Sequence, residues 1–218
     1  MTINHHPSDE TLLRYASGTL DAGPRLVVAV HIGGCSVCEE RVLQFEAIGG
    51  AMLDDVEPVE MSADALDHAL ARIEVASERR SSGPARTAAR RADVGIRLPD
   101  VLDGCEVGRW WWIGPGLRWS RVTLPDDPGA NVMLLKIGAG RKLPEHTHTG
   151  REYTQVLTGS FADARGRYVP GDLDEADSEV EHQPVVDSEA ECICIAALEG
   201  NMRLRGFFGR MIQPLIGG

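Results

Sequence analysis

Two groups of metal-ligating side chains stand out along the 218 residues. The first is His31-x-x-x-Cys35-x-x-Cys38. Positions i, i+4 and i+7 line one face of a continuous helix, and across a helix–turn–helix they can still converge. Two thiolates with imidazoles make the mixed sulfur and nitrogen set that tetrahedral structural zinc prefers. A fourth donor must close such a site, and His5 and His6, just ahead of the first helix, both offer one. Structural zinc supplies about 10–16 kcal/mol of apparent binding free energy in small modules, which matters to a helical unit with a small core. The plain alternative makes Cys35 and Cys38 buried apolar groups and His31 a surface residue, and it leaves the clustering unexplained. A thioredoxin-like redox role fits poorly, because no βαβ pattern surrounds the Cys-x-x-Cys.

The second group is His146, His148 and Glu152. Residues two apart point to the same side of a strand, so both imidazoles face one way. Gly150 lets the chain turn, and Glu152 returns a carboxylate toward the same point. Converging nitrogen and oxygen donors suit zinc, manganese, iron or nickel. The competing reading has these histidines satisfied by hydrogen bonds with no metal.

Other reactive or bulky residues carry less. Cys192 and Cys194 alternate on a strand and read first as a packed, inert pair in a wall, with a thiol pair that reports oxidation as the sharper reading. Cys105 has no partner in sequence and reads as structural. Trp110, Trp111 and Trp112 suggest a strand with core and interface contacts. His68 reads as a surface residue.

The elements that position these groups change character along the chain. Residues 8–80 read as four helices. Ser8 can cap the first, Asp9 and Glu10 favour its positive end, and Gly18 can end it. Pro24 suits the first turn of the second, which reaches His31 before Gly33 and Gly34 break it. The third spans about 36–53 with Val42, Phe45, Ile48 and Met52 at threes and fours. The fourth starts after Ser62, spans about 62–78, and puts Leu66, Leu70 and Ile73 on one face. From 79 to 91 an arginine-rich run without apolar period reads as an exposed linker. After about Gly95, short runs at 110–113, 117–124, 132–137, 153–157, 191–196 and 203–208 read as strands of a sandwich or barrel. The expected organisation is therefore α+β and multidomain: a helical bundle over residues 1–80, a linker at 81–95, and an antiparallel β-barrel over 96–218.

Charge narrows the function. Residues 1–78 hold 14 Asp and Glu against 4 Lys and Arg, so nearly all of the net −11 sits in the first third. Phosphates would be repelled there, which disfavours direct nucleic-acid binding, while a basic protein partner is favoured. No stretch approaches the roughly 20 apolar residues of a membrane span, and the opening residues lack a secretory pattern, so a cytoplasmic protein is expected. Five cysteines, two of them in Cys-x-x-Cys, then argue for metal or redox chemistry in a reducing compartment.

Two resemblances join these observations. Residues 1–80, with His6 and the His31, Cys35, Cys38 spacing in an acidic helical setting, resemble the zinc-binding anti-sigma factors. That resemblance implies His6 as the fourth zinc ligand, and a clamp on an extracytoplasmic-function sigma factor that keeps it from RNA polymerase. Gly140-x5-His146-x-His148-x3-Glu152-x6-Gly159 matches the first cupin motif at every position. The second cupin motif departs from pattern: Pro170-Gly171-Asp172 resembles its start, but its histidine is missing at the usual spacing, and His182 is taken as the fourth ligand. Together the halves resemble ChrR-type anti-sigma factors over nearly the whole chain. The resemblance implies zinc in the helical domain, zinc or another divalent metal in the cupin, and release of the partner under oxidative stress, singlet oxygen in particular. The alternative is a metal-dependent cupin enzyme, a dioxygenase or isomerase.

Overall fold

The structure, a computed structural model, describes residues 2–82, 92–187, 189–200 and 202–204. Four α-helices come first: α1 (Asp9–Ala16), α2 (Ala22–Ile32), α3 (Ser36–Asp54) and α4 (Ala65–Ser82). Twelve strands follow: β1 (Glu106–Val107), β2 (Trp111–Gly114), β3 (Leu117–Thr123), β4 (Val132–Ile137), β5 (His146–His148) and β6 (Glu152–Thr158). The rest are β7 (Phe161–Asp163), β8 (Gly166–Tyr168), β9 (Leu173–Ala176), β10 (Val185–Val186), β11 (Cys192–Leu198) and β12 (Met202–Leu204). The expected strand at 203–208 is described only through Leu204, and 205–208 lie outside the described residues.

Every strand pairing is antiparallel. The main sheet runs β1-β3-β4-β11-β6-β9, with β2 on β3, beside a three-stranded sheet β10-β7-β8 and a ribbon of β12 with β5. Among the described residues the hydrogen-bonded strands do not form a closed ring.

The helices start and stop for local reasons. The Ser8 hydroxyl accepts from the Thr11 amide at 3.3 Å and caps α1, and Gly18, at φ +70°, ends it. In α2, Leu26, Val27, Val28 and Val30 leave no polar face, and the packing explains why: one side meets α1 and α3, the other lies on β6 and β11.

The central strands divide two cores by their alternation. On β4 and β11, Val132, Leu134, Ile193, Ile195 and Ala197 face the helices in one cluster. Met133, Leu135, Cys192, Cys194 and Ala196 face the interior of the β-domain in the other. The helical region and the sheet therefore share one apolar core, where a free-standing bundle was expected. α4 runs through Ser82, 83–91 lie outside the described residues, and Val94 is buried in the shared core.

Trp110 packs against the shared core, while Trp111 and Trp112 are exposed, with the Arg109 guanidinium 3.6 Å over the Trp111 ring. His68 is exposed and Cys105 buried, as expected. All five cysteines are buried and none is in a disulfide. Among the described residues no helix is long and apolar enough to cross a membrane.

Two candidate metal centres

All eight candidate ligands gather into two groups of four, with one donor atom from each residue within 4.8 Å of its fellows. In the N-terminal group His6 lies in the segment before α1, and His31 in the last turn of α2. Cys35 is the N-cap of α3 and Cys38 sits in its first turn, where the positive end of the helix dipole favours thiolate. His6 Nδ1 is 3.4 Å from both Cys35 Sγ and Cys38 Sγ. A tetrahedral zinc bound at ordinary lengths spaces its sulfur and nitrogen ligands about 3.6 Å apart. His31 is 1% exposed, and its Nε2 has no hydrogen-bond partner. Burial holds His31 below its ordinary pKa, in the neutral form a ligand requires. Burial and the adjacent Cys35 push the Cys38 thiol up to about 12, so without a nearby cation it keeps its proton. His5, the other donor considered, turns away, its ring 4.3 Å from that of Tyr168.

The C-terminal group is built on two strands and a loop. β5 carries His146 and His148, both buried, and β6 opens with Glu152. Gly150 makes the turn between them, and a side chain there would lie 1.9 Å from the Glu199 carbonyl. His182 arrives on the loop before β10, tied to His146 by two backbone hydrogen bonds of 3.3 Å. His146 Nε2 and His182 Nε2 are 3.1 Å apart, and Glu152 Oε2 lies 2.7, 3.5 and 3.7 Å from Nε2 of His148, His182 and His146. Ligands of a tetrahedral ion are spaced about 3.3 Å apart at zinc–nitrogen lengths. Despite the 2.7 Å approach, His148 Nε2 and Glu152 Oε2 lack hydrogen-bond geometry, as two donors directed at a common cation do. Burial opposes a charge on Glu152, yet the three imidazoles hold its carboxyl well below the ordinary glutamate value.

Polar groups behind three of the ligands hold them in place. His146 Nδ1 donates to the Pro144 carbonyl at 2.8 Å, which leaves its Nε2 lone pair for a metal. His182 Nδ1 faces Asp163 at 3.3 Å, and Thr154 Oγ1 donates to Glu152 at 3.2 Å. Arg165 lies between Asp163 and Asp174, at 2.9 and 2.6 Å, and offsets part of their charge. Sequence reading missed Asp163, Arg165 and Asp174, which come from separate strands and turns and carry no local spacing.

An apolar cavity of about 50 Å³ adjoins this group, lined by Leu117, Trp119, Met133 and Phe161 among others, with His146, Glu152 and His182 on its wall. Cys194 also reaches it. The Cys192 sulfur 3.4 Å away and complete burial push the Cys194 thiol well above its ordinary range, which favours the inert reading.

Residues 100–200 match the family model described as the ChrR cupin-like domain. Over 98% of its length the chain is similar, at 38% identity, to the anti-sigma-E factor ChrR of Cereibacter sphaeroides, of which it covers 98%. Among solved structures it is similar to Rhodobacter sphaeroides SigE in complex with the anti-sigma ChrR. There the identity is 36% and the TM-score 0.68, covering 91% of this chain and 100% of that one. An RmlC-like cupin protein from Ralstonia eutropha matches 48% of this chain and 71% of its own at 20% identity and TM-score 0.39.

Proposed function

The chain belongs to the ChrR family of anti-sigma factors, and we propose that it sequesters an extracytoplasmic-function sigma factor in the cytoplasm and releases it under oxidative stress, singlet oxygen in particular. The observation that carries this reading is an unpartnered apolar face. Ile48 and Met52, four residues apart on α3, stand exposed by 57% and 68%, and so do Leu66, Leu70 and Ile73 along one face of α4. Single exposed apolar residues are ordinary, but facing-out apolar groups at helical spacing on two successive helices mark a protein interface. The acidic excess of this region steers a partner with a basic rim. Occlusion is then the mechanism: α3 and α4 cover sigma surface that polymerase needs.

Function divides along the expected boundaries, with residues 1–80 gripping the partner, 81–95 linking and 96–218 governing release. His6, His31, Cys35 and Cys38 would hold zinc, whose charge converts both thiols to thiolates and ties the N-terminal segment to α2 and α3. His146, His148, Glu152 and His182 would hold zinc or another divalent ion inside a closed cupin barrel. An enzyme reading draws on the cavity beside that second group, but it gives the exposed helices no task, and the full-length relatives are regulators.

The test is co-elution of the full chain with an extracytoplasmic-function sigma factor. Ile48→Asp combined with Met52→Asp abolishes the complex while both metals and the unfolding midpoint stay unchanged. Central interface anchors are worth about 2 kcal/mol or more each, so the pair costs roughly a thousandfold in affinity. A metal-loaded chain that retains no sigma factor overturns the proposal.

A further inference from the structure

The N-terminal metal group draws its four donors from residues 6 to 38, but side chains of the cupin-like domain hold two of them in place. Gln155, on β6, is 3% exposed, and its Oε1 lies 3.1 Å from His31 Nδ1. With the proton on Nδ1 donated to that oxygen, the lone pair is left on Nε2, the buried atom that has no other partner. On the same domain Asp172 is fully buried, and its Oδ1 accepts the backbone N–H groups of Asn4 at 2.7 Å and His5 at 3.1 Å. The Leu173 amide donates to the His5 carbonyl at 3.1 Å, so the segment leading into His6 is laid along β9.

We propose that Gln155 is a positioning residue of the N-terminal metal site, so that the cupin-like domain sets how tightly the helical region keeps its metal. An imidazole ligand is a good donor only when its other nitrogen is held, and loss of such an outer partner costs about 10–100-fold in metal affinity. Within residues 6–38 no described side chain does this for His31. The strand that does so carries Glu152 three residues earlier. Alternation sends Glu152 and Thr154 into the β-domain and Tyr153 and Gln155 toward the helices. One strand therefore presents a ligand to the second metal group on one face and a ligand's anchor to the first group on the other.

The inference rests on the metal reading of His6, His31, Cys35 and Cys38, and it is independent of which partner the helices bind. Its test is cobalt(II) titration of the metal-free full chain, followed by zinc competition. A thiolate-to-cobalt charge-transfer band reports the N-terminal site alone, because the other group offers only nitrogen and oxygen donors. Gln155→Leu removes the acceptor at similar volume and weakens cobalt and zinc at that site about 10–100-fold. Gln155→Glu keeps the acceptor and restores the band and the affinity. The unfolding midpoint of the metal-free Gln155→Leu chain stays within a few degrees of wild type, which a merely structural role for Gln155 would not allow. Wild-type affinity and band in Gln155→Leu, or equal losses in the Leu and Glu variants, overturn the proposal. A wild-type chain with no charge-transfer band would instead sink the metal reading beneath it.

Discussion

The two candidate metal centres lie on either side of the same strand, yet they are built differently. The N-terminal centre has two sulfurs and two nitrogens on helix ends, and one of its ligands, His6, is exposed. The C-terminal centre has three nitrogens and a carboxylate, all buried, with His146, Glu152 and His182 supported by nearby polar groups and an apolar cavity alongside. The first resembles a staple: its ligands join elements that would otherwise meet over a small apolar area. The second resembles a prebuilt socket, and its cavity leaves room for a small molecule to approach the ion. On the proposed reading, a metal in the staple would decide shape, and one in the socket would meet chemistry.

The largest effect separates them outright. Cys38→Ala should break the staple, and, if the site holds zinc as proposed, cost the helical region much of the roughly 10–16 kcal/mol that structural zinc supplies in small modules. Partner binding should disappear with it, as measured by co-elution. Retained inhibition would show that the helices hold their shape on the sheet alone. The reverse experiment is milder: His146→Ala empties the socket, leaves partner binding intact and blunts release under oxidant. It leaves Glu152 buried with one fewer imidazole, at a cost of about 3 kcal/mol in denaturant unfolding. Loss of partner binding in that variant would mean the two centres do not have separate tasks.

Proton release sharpens the same contrast. Both thiols of the staple must shed a proton to coordinate, and Cys38, pushed up to about 12, holds its proton at neutral pH until the metal arrives. Glu152 is already ionised there. Metal uptake at the N-terminal centre should therefore release the Cys38 proton near pH 7, whereas Glu152 has none to give, and staple affinity should rise with pH. Calorimetry in buffers of different ionisation enthalpy reads the release at each centre, and equal release at the two centres would erase the distinction.

What sequence made legible follows the range of the signal. Ligands at i, i+4, i+7 and at i, i+2, i+6 are local patterns that give six of the eight candidates; His6 enters through the family resemblance and His182 lies beyond its motif, and the structure brings all eight into two groups. Gln155, Asp163, Arg165 and Asp174 are meaningful only once distant strands are paired, and nothing in their neighbourhoods announces them. The apolar run Leu26, Val27, Val28 and Val30 did carry a message: a helix apolar all round is covered on both sides. Its second cover, β6 and β11, lies over a hundred residues away, beyond the reach of any local pattern. Strands β7, β8 and β10, two or three residues each, are too short to show alternation.

The seam between the two regions offers the smallest and most discriminating test of how they are joined. Besides the shared apolar core, it is tied by Arg151 to Glu10 at 3.0 Å and by Arg14 to Glu199 at 2.7 Å. The Arg151 guanidinium holds the Glu10 carboxyl below its ordinary value of 4.5. A carboxyl lowered by folding adds stability above its unfolded pKa and loses that contribution as pH falls through the folded value. The wild-type unfolding midpoint should thus fall slightly more than that of Glu10→Gln between pH 6 and 3. Because Glu10 lies at the surface, the difference should be small and should shrink as salt rises. A difference that persists in high salt would assign it to protonation elsewhere in the seam. Identical curves at low salt would leave the apolar core, the Arg14–Glu199 pair, Gln155 and Asp172 as what binds the staple to the socket's outer wall.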